Sequence, residues 1–193
     1  MIYIPNIIKE TSEGLNQIHI QDILFQRREV ECVGSITDES VAALILQLRY
    51  LQHEDPEQEI TIFINSPGGE VTSGLALYDA MKAIKCPIRT VCIGMAASMG
   101  AILFLSGDKR DMLPHSKVMI HDPLIPGGVG GSALKLDAVA KNIMQTRQTI
   151  AEIISKHTGK NLEEVLATTA SDSYFSAEEA VAWGLADNII HEL

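Results

Sequence analysis

An α/β fold on a mainly parallel sheet is predicted by three observations. Strand-like and helix-like runs alternate from about residue 30 to residue 105, the connections between them are short, and the run at 60–64 is apolar on both faces, as strands covered by helices are. Right-handed crossovers in such a sheet gather functional groups outside the C-terminal ends of its strands. The 193 residues are 46% hydrophobic and 21% charged, which supports one sizeable core and, by default, one domain.

The formal net charge of −10 argues against nucleic acid or an anionic membrane as partner, because both reward an excess of Lys and Arg. No apolar run approaches the roughly 20 residues that span a bilayer, and no basic segment followed by a long apolar one stands at the N-terminus. A cytoplasmic protein is expected. Cys32, Cys86 and Cys92 are an odd number without paired metal spacing and sit in or beside apolar strands, which predicts core thiols in a reducing compartment.

Residues 1–26 carry mixed polarity without a sustained period and are expected to form a mobile arm or to be ordered by a partner. Regular structure starts with a strand at 30–33. Thr37 is a helix N-cap, with Asp38 and Glu39 in the first turn and an apolar run from Val41 to Leu51 behind it; Asp55-Pro56 ends this helix. The strand at 60–64 runs into the turn Asn65-Ser66-Pro67-Gly68-Gly69. Leu75, Leu77, Tyr78, Met81 and Ile84 keep helical spacing until Cys86-Pro87. The β-branched run at 88–93 is a strand, and 99–105 is a short buried helix. A strand at 118–120 stops at His121-Asp122-Pro123, because proline cannot donate to a ladder. Residues 126–131, with four glycines, form a flexible loop or mobile strand. The helical period at 134–154 covers about 30 Å, long enough to leave the core. Ser176-Ala177-Glu178-Glu179 is a capping box before a short helix that Gly184 ends.

Ser98 falls at a junction of strand and helix, among Gly94, Ala96, Ala97, Gly100 and Ala101. A hydroxyl there lies at a helix N-terminus, where free N–H groups and the dipole favour a developing negative charge. An N-cap is the commoner reason for a serine in that place, and locally both readings stay open. Acyl transfer by serine needs a base, a carboxylate that orients it, and N–H donors for the oxyanion. His121 ends an apolar strand, whereas His19, His53, His115, His157 and His191 stand in polar contexts that predict surface positions. Locally His121 fits a structural histidine as well as a base, and Asp172, between Ser171 and Ser173, fits a turn residue as well as the orienter, just as the glycines of Pro67-Gly68-Gly69 fit a plain turn. Asp122 is the rival orienter, but adjacent strand residues point to opposite faces, which makes it the poorer one. The backbone N–H of Met99 and that of Gly69 or Gly68 are candidate donors, since glycine lets backbone approach a substrate closely.

Four motifs, Asn65-Ser66-Pro67-Gly68-Gly69, Gly94-Met95-Ala96-Ala97-Ser98-Met99-Gly100, Met119-Ile120-His121-Asp122-Pro123 and Ser176-Ala177-Glu178-Glu179-Ala180 with Gly184-Leu185, resemble the proteolytic subunit of the Clp protease, the ClpP family. Order and approximate spacing match over nearly the whole chain, although the glycine turn alone is shared with the wider crotonase-like group. The resemblance implies a crotonase-like (ClpP) fold of repeated β-α-β units, with residues 1–193 as one peptidase domain, 1–26 as an axial segment and about 124–157 as a protruding handle. By the same resemblance Ser98 is nucleophile, His121 general base and Asp172 its orienter, with Gly68, Gly69 and Met99 at the oxyanion hole. It further implies hydrolysis of unfolded polypeptides to short peptides inside two stacked seven-subunit rings. No metal or organic cofactor is implied for this chain, since an AAA+ unfoldase partner consumes the ATP.

The chain departs from that family's pattern at named positions. Asp122 stands where glutamine is usual, which sets a negative charge beside the base and, if near the imidazole, favours its protonated form. Ala170 and Ser171 replace an acid–arginine pair that commonly links rings, so that ion pair cannot form. Phe63 stands where a tyrosine of the unfoldase-docking pocket is common, and Glu13-Gly14-Leu15-Asn16 replaces a charged motif near the axial pore. These departures resemble those of a divergent paralogue, one that works beside a more typical subunit; a ring subunit that modulates a partner while cleaving little itself is an alternative to the active peptidase. A crotonase-like acyl-CoA enzyme, whose glycine turn polarises a thioester, is the remaining alternative; it has no need of the Ser98, His121 and Asp172 set.

Overall fold

A computed structural model describes residues 6–11, 14–125 and 127–193; what the sequence leads one to expect of residues 1–5, 12–13 and 126 lies outside them. The N-terminus departs from the sequence expectation. In place of an irregular arm stand a hairpin of β1 (Asn6–Thr11) and β2 (Gly14–His19) and a helix, α1 (Ile20–Gln26). Leu15 is 74% exposed and α1 buries no residue. With no buried face, this segment leaves no hydrophobic period to read.

The predicted alternation follows as β3 (Glu29–Val33), α2 (Asp38–Glu54), β4 (Ile60–Ser66), α3 (Val71–Ala83), β5 (Ile88–Ala97) and α4 (Met99–Leu105). Thr37 caps α2 reciprocally with Ser40, each side chain accepting the other's backbone N–H. The chain continues through β6 (Lys109–Met112), β7 (Lys117–Ile120), α5 (Ala133–Thr158), α6 (Leu162–Thr169), β8 (Ser173–Phe175), α7 (Ala177–Trp183) and β9 (Asn188–Ile189). Of these, β6, α6, β8 and β9 were not expected. The three strands hold two to four residues each, too few to display an alternation.

Strands β3-β4-β5-β6-β9 run parallel in that order. β5 changes partner along its length: residues 89–92 pair with β6 and residues 95–97 with β7. The switch occurs around Gly94, at φ 85, where an added Cβ would stand 3.0 Å from Asn65 Oδ1. β7 in turn takes β8 as an antiparallel neighbour. Helix α4, every residue of which is buried, anchors the end of β5; burial of Ile102, Leu103, Phe104 and Leu105 contributes roughly 6–12 kcal/mol before the entropy of ordering is subtracted. Cys32, Cys86 and Cys92 are buried thiols as expected, and desolvation pushes Cys32 up to about 11 and Cys92 to about 12.

Arg28 is buried at 4% exposure and carries an unusual φ of 65. Its guanidinium donates to the carbonyls of Leu51, Asp55, Gln58 and Glu59 at 2.9–3.2 Å, two of them at the negative end of α2. Arg28→Met is expected to strip these acceptors of their donor and lower stability by about 3 kcal/mol. That corresponds to a fall in Tm of roughly 6–12 °C, read by circular dichroism; an unchanged Tm would overturn the assignment.

His157 is half-buried at the end of α5 rather than on the surface, with Tyr78 Oη 2.9 Å from its Nε2. Burial, and then the charges of Lys82, Arg110 and Lys156, push its pKa from 6.5 down to about 4. Below pH 6.5 the unfolded chain therefore binds a proton that the folded chain refuses, so stability falls as pH drops from about 6.5 towards 4. His157→Gln is expected to remove about 1 kcal/mol of that acid sensitivity, after allowance for screening. The check is a smaller loss of urea midpoint between pH 7 and pH 5 in the variant than in the parent.

Candidate active site

Three parallel strands end side by side, and each end delivers a group. β4 leads into the glycine turn, β5 into Ser98 and β7 into His121. The register of β7 with β8 pairs Ile120 with Ser173, so the next cross-strand pair is His121 with Asp172, placed as neighbours on one face. Backbone bonds fix the three segments: Ser98 N–H donates to Met119 O at 2.9 Å and Asp122 N–H to Thr169 O at 2.7 Å.

Ser98 precedes α4 but makes no side-chain capping bond, which overturns the local helix-cap reading. Its φ of 54 and ψ of −123 lie where residues with a Cβ are strained. This sharp turn aims Oγ at His121 Nε2, 2.8 Å away, while His121 Nδ1 lies 3.1 Å from Asp172 Oδ1. A carboxylate only accepts, so the Nδ1 proton faces Asp172 and the Nε2 lone pair faces the Ser98 O–H. The His121 side chain is 14% exposed and that of Asp172 60%, so the carboxylate orients the imidazole from a wet position.

The glycine turn packs directly on this serine. A Cβ on Gly68 would stand 2.7 Å from Ser98 Cβ, and one on Gly69 2.1 Å from Ile36 O. Ile36 clasps the turn, donating to Gly68 O and accepting from Glu70 N–H, both at 2.9 Å. Gly68 spends its own N–H on Ser66 Oγ at 3.1 Å. Of the two glycines, Gly69 is the one whose N–H, like that of Met99, has no partner among the described residues.

The Asp122 carboxylate has partners other than His121: its Oδ2 accepts from Arg147 Nε at 2.5 Å and its Oδ1 from Thr169 Oγ1 at 2.8 Å, so the extra negative charge is met by Arg147. An apolar cleft borders Ser98, lined by Val71, Met99, Ile102, Ile150 and Ile154. The last two come from α5 and were not among the sequence candidates; their i, i+4 spacing on its buried face was the available signal. Among the described residues no group of three His, Cys, Asp or Glu could hold a metal ion, and no helix is long and apolar enough to cross a membrane.

A proton can pass from a serine hydroxyl to an imidazole steadied by a carboxylate, beside unpartnered N–H groups, and that is the chemistry of a serine hydrolase on an α/β fold. A family model described as Clp protease matches residues 12–193. The chain belongs to the Clp protease family, the family of ClpP-type serine peptidases.

Proposed function

We propose that this peptidase cleaves through Ser98 as nucleophile, His121 as general base and Asp172 as the carboxylate that orients it. The observation that carries the reading is the line of contacts from Ser98 Oγ to His121 Nε2 at 2.8 Å and from Nδ1 to Asp172 at 3.1 Å. As Oγ bonds to the scissile carbonyl carbon, its proton moves to Nε2, and the oxyanion meets the N–H groups of Gly69 and Met99. Nε2 then returns the proton to the departing amine as the C–N bond breaks, and water hydrolyses the acyl-enzyme by the reverse sequence. The apolar cleft beside Ser98 favours an apolar side chain before the cleaved bond.

Substrates are unfolded polypeptides, cut to short peptides in a cytoplasmic chamber of two stacked seven-subunit rings. An AAA+ unfoldase feeds the chamber and supplies the ATP chemistry, and this chain uses no cofactor. Support for association comes from α5, which buries only Ile150, Ala151 and Ile154 and exposes Leu134 and Met144. A fluorophosphonate tests the assignment: mass spectrometry should find one adduct per chain, on Ser98. An adduct elsewhere, or peptide hydrolysis untouched by the reagent, overturns it. Sedimentation of the same sample reads the assembly.

A further inference from the structure

Resting on that reading, we propose that Arg147 is a positioning residue: through Asp122 and Thr169 it sets the separation of the two chain segments that carry His121 and Asp172. Arg147 lies on α5, outside the proton path. Its Nε donates to Asp122 Oδ2 at 2.5 Å and its Nη2 to Leu166 O of α6 at 3.0 Å. Asp122 Oδ1 accepts from Thr169 Oγ1 at 2.8 Å, and Asp122 N–H donates to Thr169 O at 2.7 Å. One guanidinium thus ties together α5, the end of β7 and the end of α6.

The placement along the chain gives this clasp its function. Asp122 follows the imidazole-bearing residue directly, and Asp172 stands three residues after Thr169. Thr169 is buried, whereas the Asp172 carboxylate is largely exposed and has His121 as its partner among the described residues. The side chain of Asp172 cannot position itself; the backbone on either side must do so. Ser173 Oγ helps by donating to Thr168 O at 2.7 Å, the β7–β8 ladder joins the two segments on the Ser173 side, and a second link, on the Thr169 side, runs through Asp122. The guanidinium fork serves a carboxylate and a carbonyl at once, which a lysine ammonium on its flexible stem does less well.

The experiment compares Arg147→Gln, Arg147→Lys and Asp122→Asn with the parent in the full chain as it assembles, using a fluorogenic peptide and a fluorophosphonate. Rates are expressed per labelled Ser98, so that misfolded chains drop out. For Arg147→Gln, kcat is expected to fall at least about tenfold, with KM within about twofold, because the loss is one of alignment rather than of binding. The fluorophosphonate rate should fall in parallel while the final stoichiometry stays at one per chain. Arg147→Lys should recover part of kcat, and Asp122→Asn, which leaves the Arg147 stem in place, should lower it; a lost packing contact alone would not explain the second result. An unchanged kcat per labelled site in Arg147→Gln, or in Asp122→Asn if the first variant does not fold, overturns the positioning role and leaves Ser98 as nucleophile. Parent enzyme labelled elsewhere than Ser98 overturns both.

Discussion

Ser98→Ala is expected to lower kcat for a peptide substrate about a millionfold, the scale seen when the nucleophile of a serine peptidase is removed. On the proposed mechanism the hydroxyl that forms the acyl bond is gone, and His121 has no proton to accept, so the other members of the site have nothing to assist. Stability should hardly change, for a reason specific to this position. The backbone at φ 54 is unfavourable for any residue with a Cβ, and serine and alanine bear that strain equally. No capping bond is lost either, because the serine makes none. An unaltered Tm with no hydrolysis and no fluorophosphonate adduct is the expected result; hydrolysis within tenfold of the parent would remove Ser98 from the mechanism.

Gly69→Ala is the second large effect. The new Cβ would stand 2.1 Å from Ile36 O and 2.7 Å from Ile36 N, both backbone atoms that no rotamer change can move aside. Relief requires the turn or the segment after β3 to shift by about 1 Å, and the Ile36 hydrogen bonds at 2.9 Å resist that. The donor proposed for the oxyanion sits on the displaced atom. Losing or misplacing one such donor costs about 100- to 1,000-fold in kcat. KM should change far less, since the apolar cleft beside Ser98 is elsewhere lined by α3, α4 and α5. Steady-state kinetics of the variant, with far-ultraviolet circular dichroism to show the fold retained, checks this; a kcat within threefold of the parent would exclude Gly69 as donor.

The central β-α-β pattern was legible because its signals are local. Thr37 caps α2 where its residue type and the apolar run behind it said it would, and α4 spans the residues its apolar pattern marked. The N-terminal hairpin was illegible because neither face is buried, and Arg28 because a buried arginine satisfied by carbonyls leaves no pattern. At the site, Ser98, His121 and Asp172 were each nameable, but their meeting was not derivable from spacing. It depends on β8, three residues long, whose register with β7 brings Asp172 beside His121. Strand alternation set Asp122 apart from the face of the imidazole, but its partner Arg147, 25 residues away on another element, left no local signal.

That same register has a consequence in time. His121 and Asp172 are 51 residues apart in the chain, and Ser98 a further 23 before His121. At the roughly 5–20 residues per second of protein synthesis, the imidazole waits about 3–10 s on the ribosome before its carboxylate is even made. On the proposed mechanism the serine and its base stand through that interval without the residue that orients them. The orienting contact can form only once β8 has been laid against β7.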